Sequence, residues 1–367
     1  MTDASCDYLI IGGGIAGASL AAELAGAARV IVVEREDQPG YHSTGRSAAF
    51  WSETYGGPRI APLTLASGDF LHEGGYLTPR GALHLARRQD SALVDQFLAE
   101  FAQSAVTIER VGRDTICRHV PGLRPEWVEG VWEPSCADID VAALHEAYLS
   151  TARAQGAQIR CRAAVVSLDR YSGGWKAVLA DGEQISARRI INAAGAWADE
   201  VAQVAGIAPL GIAPLLRTVA QLRVDRPVPA SLPLVLGIRG DFYFKPESGR
   251  LWLSPHDETP SPATDVAADE LAVAMAIDRM EAVVDWRVDL VERKWAGLRS
   301  FAPDRLPVYG PDPADGDFIW FAGQGGFGIQ TAPAAAQLLA DQLLGRRSPA
   351  VANIDIGWFS PDRFNRT

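Results

Sequence analysis

The sequence predicts a mixed α/β protein built on a Rossmann-type dinucleotide-binding core, and three observations carry that expectation. A short apolar strand near the N-terminus runs directly into a glycine-rich turn and a helix. A β-meander punctuated by two glycine turns lies in the middle of the chain. Near the C-terminus a second apolar strand ends in another glycine-rich turn ahead of a long alanine-rich helix. Alternation of strand-like and helix-like runs favours a parallel sheet covered by helices.

The first element is Tyr8-Leu9-Ile10-Ile11, short and apolar throughout, as expected of a strand buried on both faces. Gly12-Gly13-Gly14-Ile15-Ala16-Gly17 follows at once and fits G-x-G-x-x-G. Gly17, Leu20, Ala21 and Leu24 then keep helical spacing, and Val30–Val33 form a second strand that ends on Glu34. In this arrangement Gly12 permits the tight turn, Gly14 lets backbone approach a pyrophosphate, and Gly17 lets helix and strand pack closely. The helix N-terminus, with Ile15 and Ala16, offers amides and a positive dipole end to phosphates. Glu34 is placed to accept hydrogen bonds from a ribose diol, with Arg35 beside it.

The motif alone does not separate FAD from NAD; later stretches favour FAD. Pro39–Ala49, which includes His42, Ser43, Thr44, Arg46, Ser47 and Ala48, is small and polar and suits a backbone-rich cradle. A nicotinamide domain is expected to continue with another βα unit there. The meander covers Ala164–Arg170, Trp175–Leu179 and Gln184–Ala187, with turns at Ser172-Gly173-Gly174 and Asp181-Gly182. It returns through Arg189-Ile190-Ile191 and stops at Asn192–Trp197, which brings in Ala194, Gly195 and Trp197. The strand Phe318–Phe321 runs into Gly323-Gln324-Gly325-Gly326-Phe327-Gly328-Ile329-Gln330-Thr331, and Pro333 is expected to open the helix that follows. The N-terminus of that helix can stabilise negative charge on the N1/C2 carbonyl edge of a reduced flavin.

Bulk properties are those of a globular chain of 367 residues, long enough for two domains, with 48% hydrophobic residues and a net charge of −11. That acidic balance argues against nucleic acid or an anionic membrane surface as partner. Only three lysines occur, Lys176, Lys245 and Lys294, so the positive charge is almost all arginine. Cys6, Cys117, Cys136 and Cys161 are scattered without a C-x-x-C pair or neighbouring histidines, so neither a disulfide framework nor a metal site is expected. No basic n-region precedes the first strand, and its apolar run is too short to span a bilayer. The expectation is a cytoplasmic protein.

Several stretches resemble the D-amino-acid oxidase-type FAD-dependent oxidoreductase superfamily, which includes glycine and sarcosine oxidases, and most closely its bacterial D-arginine dehydrogenase-like D-amino-acid dehydrogenases. They are Gly40–Ala49, Ala137-Asp138-Ile139-Asp140, Asn192–Trp197, Trp295–Phe301 and Gln324–Thr331. The resemblance covers nearly the whole chain. It implies a glutathione-reductase-like Rossmann FAD-binding domain built from residues 1–79, 138–212 and 302–367. An inserted, mainly antiparallel-sheet substrate domain would comprise residues 80–137 and 213–301. It also implies a carboxylate clamp made by Arg217, Arg299, Tyr243 and Tyr55, since a planar guanidinium forks onto a carboxylate with two charge-assisted hydrogen bonds. Family members that hold flavin covalently use a late cysteine or a cradle histidine. Here no cysteine follows Cys161 and Arg46-Ser47 occupy the cradle position, so non-covalent FAD is expected.

Two departures from the arginine enzymes bear on substrate. A glutamate that clamps the substrate guanidinium is matched here by Ala82, after Thr78-Pro79-Arg80-Gly81, and a pocket histidine is matched by Phe50. Without a partner, burying a cationic side chain is costly. With Leu234 and Leu236 extending the apolar wall, the resemblance implies oxidative deamination of a neutral, hydrophobic D-amino acid. Hydride passes from Cα to flavin N5, and the imine hydrolyses to the 2-oxo acid and ammonia. The acceptor, a quinone, another carrier or oxygen, stays open. So do three other readings: an oxygen-using D-amino-acid, glycine or sarcosine oxidase, an FAD-dependent 2-hydroxy-acid dehydrogenase, and a non-catalytic electron-transfer subunit. A hydroxy-acid enzyme needs a base, and His42, His84 and His256 are the candidates, none placed in that role by a motif. The Phe50–Pro58 segment, ending in Gly56-Gly57, reads either as a lid on a glycine hinge or as a packed loop.

Overall fold

The computed structural model describes residues 4–364. Five parallel strands form the centre of one sheet, in the order Gln158–Arg160, Val30–Val33, Ala4–Ile11, Gln184–Asn192 and Phe318–Ala322. Val308–Pro311 adds antiparallel to Phe318–Ala322 at one edge. In the meander Val165–Tyr171 pairs antiparallel with Gly174–Leu179, which in turn pairs antiparallel with the first half of Gln184–Asn192. The runs Tyr8–Ile11, Val30–Val33 and Phe318–Ala322 are apolar at every position because both faces are covered. Ile10, Val32 and Ile319 pack under the helices Ile15–Leu24, Val141–Ala154 and Gly328–Leu344. Leu9, Ile31 and Trp320 face the other side, against Trp175 and the helix Ala198–Val204.

Register decides where the loops meet. Ile11 lies level with Val33 on one side and Asn192 on the other, Asn192 with Trp320, and Val33 with Arg160. The glycine turn after Ile11, the Ala193–Gly195 turn and the turn after Ala322 therefore leave the sheet at the same carboxyl edge, where α/β sheets hold their ligands.

The second sheet has ten strands and is antiparallel except where Leu234–Gly237 runs parallel to Ala82–Arg87. Its backbone is a long ribbon in which Ala213–Val224 pairs with Val288–Phe301. Beyond it come Arg250–Ser254, Tyr243–Glu247, Leu234–Gly237, Ala82–Arg87, Trp127–Glu133 and Glu109–Gly112. One face is backed by helices Arg113–His119 and Glu270–Glu281 through Ile116, Val273, Ala276 and Met280. The near end of the ribbon hydrogen-bonds the C-terminal glycine turn, Ser300 opposite Gly325 and Phe301 opposite Gln324. A small third sheet joins Phe50–Trp51, Ala137–Ile139 and Leu77–Pro79. Among the described residues no helix is long and apolar enough to cross a membrane.

One boundary differs from expectation. The last long helix starts at Gly328, and Pro333 lies in its second turn instead of opening it. Near the N-terminus a proline forfeits only one backbone bond, and the Thr331 hydroxyl returns to the Phe327 carbonyl at 2.9 Å. The earlier start brings the helix N-terminus up to the glycine turn itself.

Candidate active site

A cleft of about 520 Å³ runs along the carboxyl edge of the first sheet. At one end it is lined by Glu34, Arg35, His42, Trp197 and the meander residues Ala163–Val165. Its middle is formed by Gly12, Gly14, Ile15, Ala16, Ser43, Thr44, Ala194 and Gly195. The other end reaches Ser47, Leu298, Arg299, Ser300, Gly325, Gly326, Gly328 and Ile329.

Two glycines make the turn possible. Gly12 has φ +109°, and a Cβ on it would lie 2.5 Å from the Ala193 carbonyl oxygen; a Cβ on Gly17 would lie 1.9 Å from the Gly12 oxygen. Helix Ile15–Leu24 thus sits against the strand that feeds it. Glu34 accepts from the Gly13 amide at 2.9 Å and from the Glu36 amide at 3.0 Å, which ties the carboxylate to the turn. Thr44 Oγ1 accepts from Ile15 N at 3.0 Å, and Ser43 Oγ donates to the Leu298 carbonyl at 2.6 Å. His145, which no motif marked, donates from Nε2 to the Gly13 carbonyl at 2.9 Å, and burial lowers its pKa. The Trp197 ring carries His42 at 4.5 Å and the Arg35 guanidinium at 4.8 Å.

Helices Ile15–Leu24 and Gly328–Leu344 both point their N-termini at this cleft, and neither has an acidic residue in its first turn. The positive ends are left for a ligand. A long cleft with a carboxylate at one end and two helix N-termini along it fits the ribose, pyrophosphate and isoalloxazine of FAD. Glu34 would meet the ribose, the Gly12–Gly17 turn the pyrophosphate, and the Gly325–Ile329 turn the flavin ring.

Not all expected cradle residues reach the cleft. Gly17 serves packing alone, and Phe327 packs on Tyr55 and Phe301. Thr331 and Gln330 are buried, Gln330 donating to the Ser52 and Tyr55 carbonyls at 3.1 and 3.3 Å and to Thr64 Oγ1 at 2.8 Å. Arg46 pairs with Asp265 at 2.6 Å and, with Ala48, lines a smaller cavity next door.

That cavity, about 30 Å³, is also lined by Arg217, Val219, Tyr243 and Arg299, and Arg299 borders both spaces. Strand register puts these side chains together. Arg217 pairs with Gly297, two residues before Arg299, so both guanidinium groups stand on one face of the ribbon. Tyr243 and Leu236 are cross-strand partners, and on the next strand Leu234 and Leu236 lie level with Ala82 and His84. Ala48, Phe50, Ala82, Leu234, Leu236 and Tyr243 consequently form one buried apolar cluster, with Tyr55 packed on it.

Arg217 is 4% exposed; its Nε donates to the Asp257 carbonyl at 2.8 Å and its Nη2 to Glu258 at 3.3 Å. Its Nη1, and the hydroxyl of the buried Tyr243, have no hydrogen-bond partner among the described residues. Burial and then the charge of Arg299 lower the Arg217 pKa. Arg299 donates to the Tyr55 hydroxyl at 2.5 Å, and a Cβ on Gly326 would lie 1.9 Å from that hydroxyl. Two buried donors left without acceptors side by side at one cavity are suited chemically to an anion, because most buried polar groups in proteins are satisfied.

Ser52, Glu53 and Thr54 are buried and tied down. The fully buried Glu133 carboxylate accepts from Ser52 Oγ at 3.0 Å, Glu53 N at 2.6 Å and Thr54 Oγ1 at 2.6 Å. Burial opposes its ionisation, yet His84 and these hydroxyls outweigh that and lower its pKa. The segment from Ser52 to Tyr55 is therefore a packed loop, and Gly56-Gly57 follows the anchored part. Glu133 carries no motif signal in the sequence. Glu133 lies directly opposite Ala82, a long-range pairing that no local spacing announces.

The family model described as DAO, FAD dependent oxidoreductase, matches residues 7–342. The chain is 28% identical over 373 residues to the bifunctional protein ThiO/ThiG of Synechocystis sp., covering 98% of this chain and 54% of that one. It is 25% identical to mitochondrial dimethylglycine dehydrogenase of Mus musculus, covering 98% and 44%. The chain spans about half the length of these curated relatives. Among solved structures, L-proline dehydrogenase from P. horikoshii superposes with a TM-score of 0.86 at 21% identity, covering 99% of both chains. Glycine oxidase from Geobacillus kaustophilus gives 0.84 at 22%, covering 98% and 99%. At these identities the structural likeness speaks for the fold.

Proposed function

The chain belongs to the DAO family of FAD-dependent oxidoreductases, and on that premise we propose that it oxidatively deaminates a neutral, hydrophobic D-amino acid to the 2-oxo acid and ammonia. The observation that carries this reading is the pair of unpartnered buried donors, Arg217 Nη1 and the Tyr243 hydroxyl, beside Arg299. They are suited to the two oxygens of a carboxylate. When bound, FAD supplies the hydride acceptor. The protein holds the carboxylate between Arg217, Arg299, Tyr243 and Tyr55, so that the amine-bearing carbon is presented to the cofactor in one orientation, and orientation carries much of the rate.

The apolar cluster of Phe50, Ala82, Leu234 and Leu236 supports a neutral side chain. Glu133 faces Ala82 across the strands, but it is fully buried and already accepts hydrogen bonds from Ser52, Glu53 and Thr54, which commits it to the loop and makes it a poor partner for a substrate cation. The D configuration rests on the sequence resemblance. The relatives' names, glycine oxidase, L-proline dehydrogenase and dimethylglycine dehydrogenase, describe small amine-bearing carboxylates and support the reaction class.

A second reading, oxidation of a 2-hydroxy acid, gains from one observation: His256 packs against Tyr55 and Tyr243 with ring centroids 6.5 and 5.7 Å away. Burial first, and then the Arg217 and Arg299 charges, disfavour protonation of that ring, which weakens it as the required base. The test is anaerobic mixing of the holoenzyme with matched amino acids of both hands and 2-hydroxy acids, following flavin absorbance. Bleaching by neutral D-amino acids supports the proposal; bleaching by hydroxy acids or L-amino acids alone overturns it. Readmission of air then distinguishes oxidase from dehydrogenase.

A further inference from the structure

His256 follows the strand Arg250–Ser254 and takes φ +56°, a conformation uncommon outside glycine and found mostly for Asn, Asp and His among other residues. Its ring is fixed from one side: Nδ1 donates to the Gly240 carbonyl at 2.6 Å, and the backbone amide of His256 donates to Ser254 Oγ at 3.1 Å. A carbonyl can only accept, so the proton sits on Nδ1 and Nε2 carries a lone pair. Nε2 has no hydrogen-bond partner among the described residues and, unlike the orphaned Tyr243 hydroxyl, is not fully buried. The ring lies between Tyr55 and Tyr243, the two tyrosines of the carboxylate site.

Every other polar side chain proposed for that site can donate to a carboxylate. An α-amino acid also brings N–H donors, and these need an acceptor. We propose that His256 Nε2 accepts a hydrogen bond from the α-amino group of the substrate and thereby sets the nitrogen's position relative to the arginine-held carboxylate. This rests on the amino-acid reading above. The neutral state is supported independently: burial first, then the charges of Arg217 and Arg299, push the imidazole pKa down to about 3. His256 therefore acts as an acceptor throughout the neutral range.

The experiment uses ligands that cannot be oxidised because their α-carbon bears no hydrogen to transfer or no amine. Binding of 2-aminoisobutyrate and of isobutyrate to the oxidised holoenzyme is titrated by flavin absorbance in wild type, His256→Gly and His256→Asn. Glycine relieves the positive φ while removing the ring; asparagine tolerates the same φ and retains a carbonyl acceptor. The expected result is a preference of roughly tenfold for the amine-bearing ligand in wild type. His256→Gly should lose that preference with isobutyrate binding unchanged, and His256→Asn should keep part of it. A preference that survives in His256→Gly, or an equal loss for both ligands, overturns the assignment while leaving the amino-acid reading intact. If neither ligand binds wild type, the carboxylate site itself is wrong. As a check free of any substitution, the Nε2 resonance of ¹⁵N-histidine-labelled wild type should move with 2-aminoisobutyrate and stay put with isobutyrate; the reverse pattern overturns the proposal.

Discussion

Arg217 and Arg299 stand diagonally across one antiparallel strand pair, on the same face, because Arg217 is opposite Gly297 and the side-chain period is two. Burial first, and then the neighbouring Arg299 charge, disfavour the charged form of Arg217. A bound carboxylate relieves both. Arg299→Lys is expected to lower kcat/KM by on the order of 10²-fold, since a point charge cannot reproduce the fork. Arg217→Met should lose at least as much activity while Tm stays within a few degrees of wild type, because an apolar side chain avoids the desolvation cost. Steady-state kinetics and thermal melts of both variants check this; a large fall in Tm for Arg217→Met would contradict it.

Gly326 should be intolerant of a side chain for a reason specific to catalysis. A Cβ there would meet the Tyr55 hydroxyl at 1.9 Å and Arg299 Nη1 at 2.7 Å. In Gly326→Ala the flavin should still bind, while KM for the amino acid rises at least about tenfold as both clamp groups are displaced. Retained KM would show that the two side chains move aside freely.

Glu133 is expected to act through the loop it anchors. Glu133→Gln replaces an acceptor of three hydrogen bonds with a group that can satisfy fewer of them, and should cost about 2–4 kcal/mol of stability. The pH dependence follows from sign: the folded pKa is depressed, so the stabilisation is present above the ordinary glutamate range and lost as pH falls through the lower folded value. Repulsion from Glu133, which after burial raises the Glu53 pKa, offsets part of it. Melting wild type and variant side by side from pH 7 to pH 3 should show the gap closing with acid; a constant gap would count against an ionised Glu133.

Substrate charge offers a further check. D-arginine should be at least about 10²-fold poorer in kcat/KM than a neutral D-amino acid of similar length, because the cluster of Phe50, Ala82, Leu234 and Leu236 offers a cation only apolar groups. Ala82→Glu should not rescue it. The new carboxylate would be fully buried opposite Glu133, and like charges at paired positions destabilise. Rescue of D-arginine by that substitution would show that Glu133 is not in the way.

Much of this protein was readable in the residues themselves, and where it was, the signal was local. Tyr8–Ile11 had to be a buried strand, since four consecutive apolar residues suit a strand covered on both faces, and the glycines after it had to make a tight turn, since Gly12 adopts φ +109°. Family resemblance pointed to Arg217, Arg299, Tyr243 and Tyr55 one at a time. What spacing along the chain could not say was which of these residues share a face. That depended on the register of Ala213–Val224 against Val288–Phe301 and of Leu234–Gly237 against Ala82–Arg87, pairings between segments far apart in sequence. A further pairing, of Ala82–Arg87 with Trp127–Glu133, sets Glu133 opposite Ala82, where its carboxylate anchors the Ser52–Thr54 segment. His256 was a candidate base in the sequence, but spacing could not place it beside Tyr55 and Tyr243, because its position depends on its own left-handed backbone and a carbonyl on another loop. Local sequence determines turns and strands through steric and hydrophobic preferences of neighbouring residues. The site was decided by tertiary structure, because a slip of one residue in any pairing would turn these side chains to the opposite face.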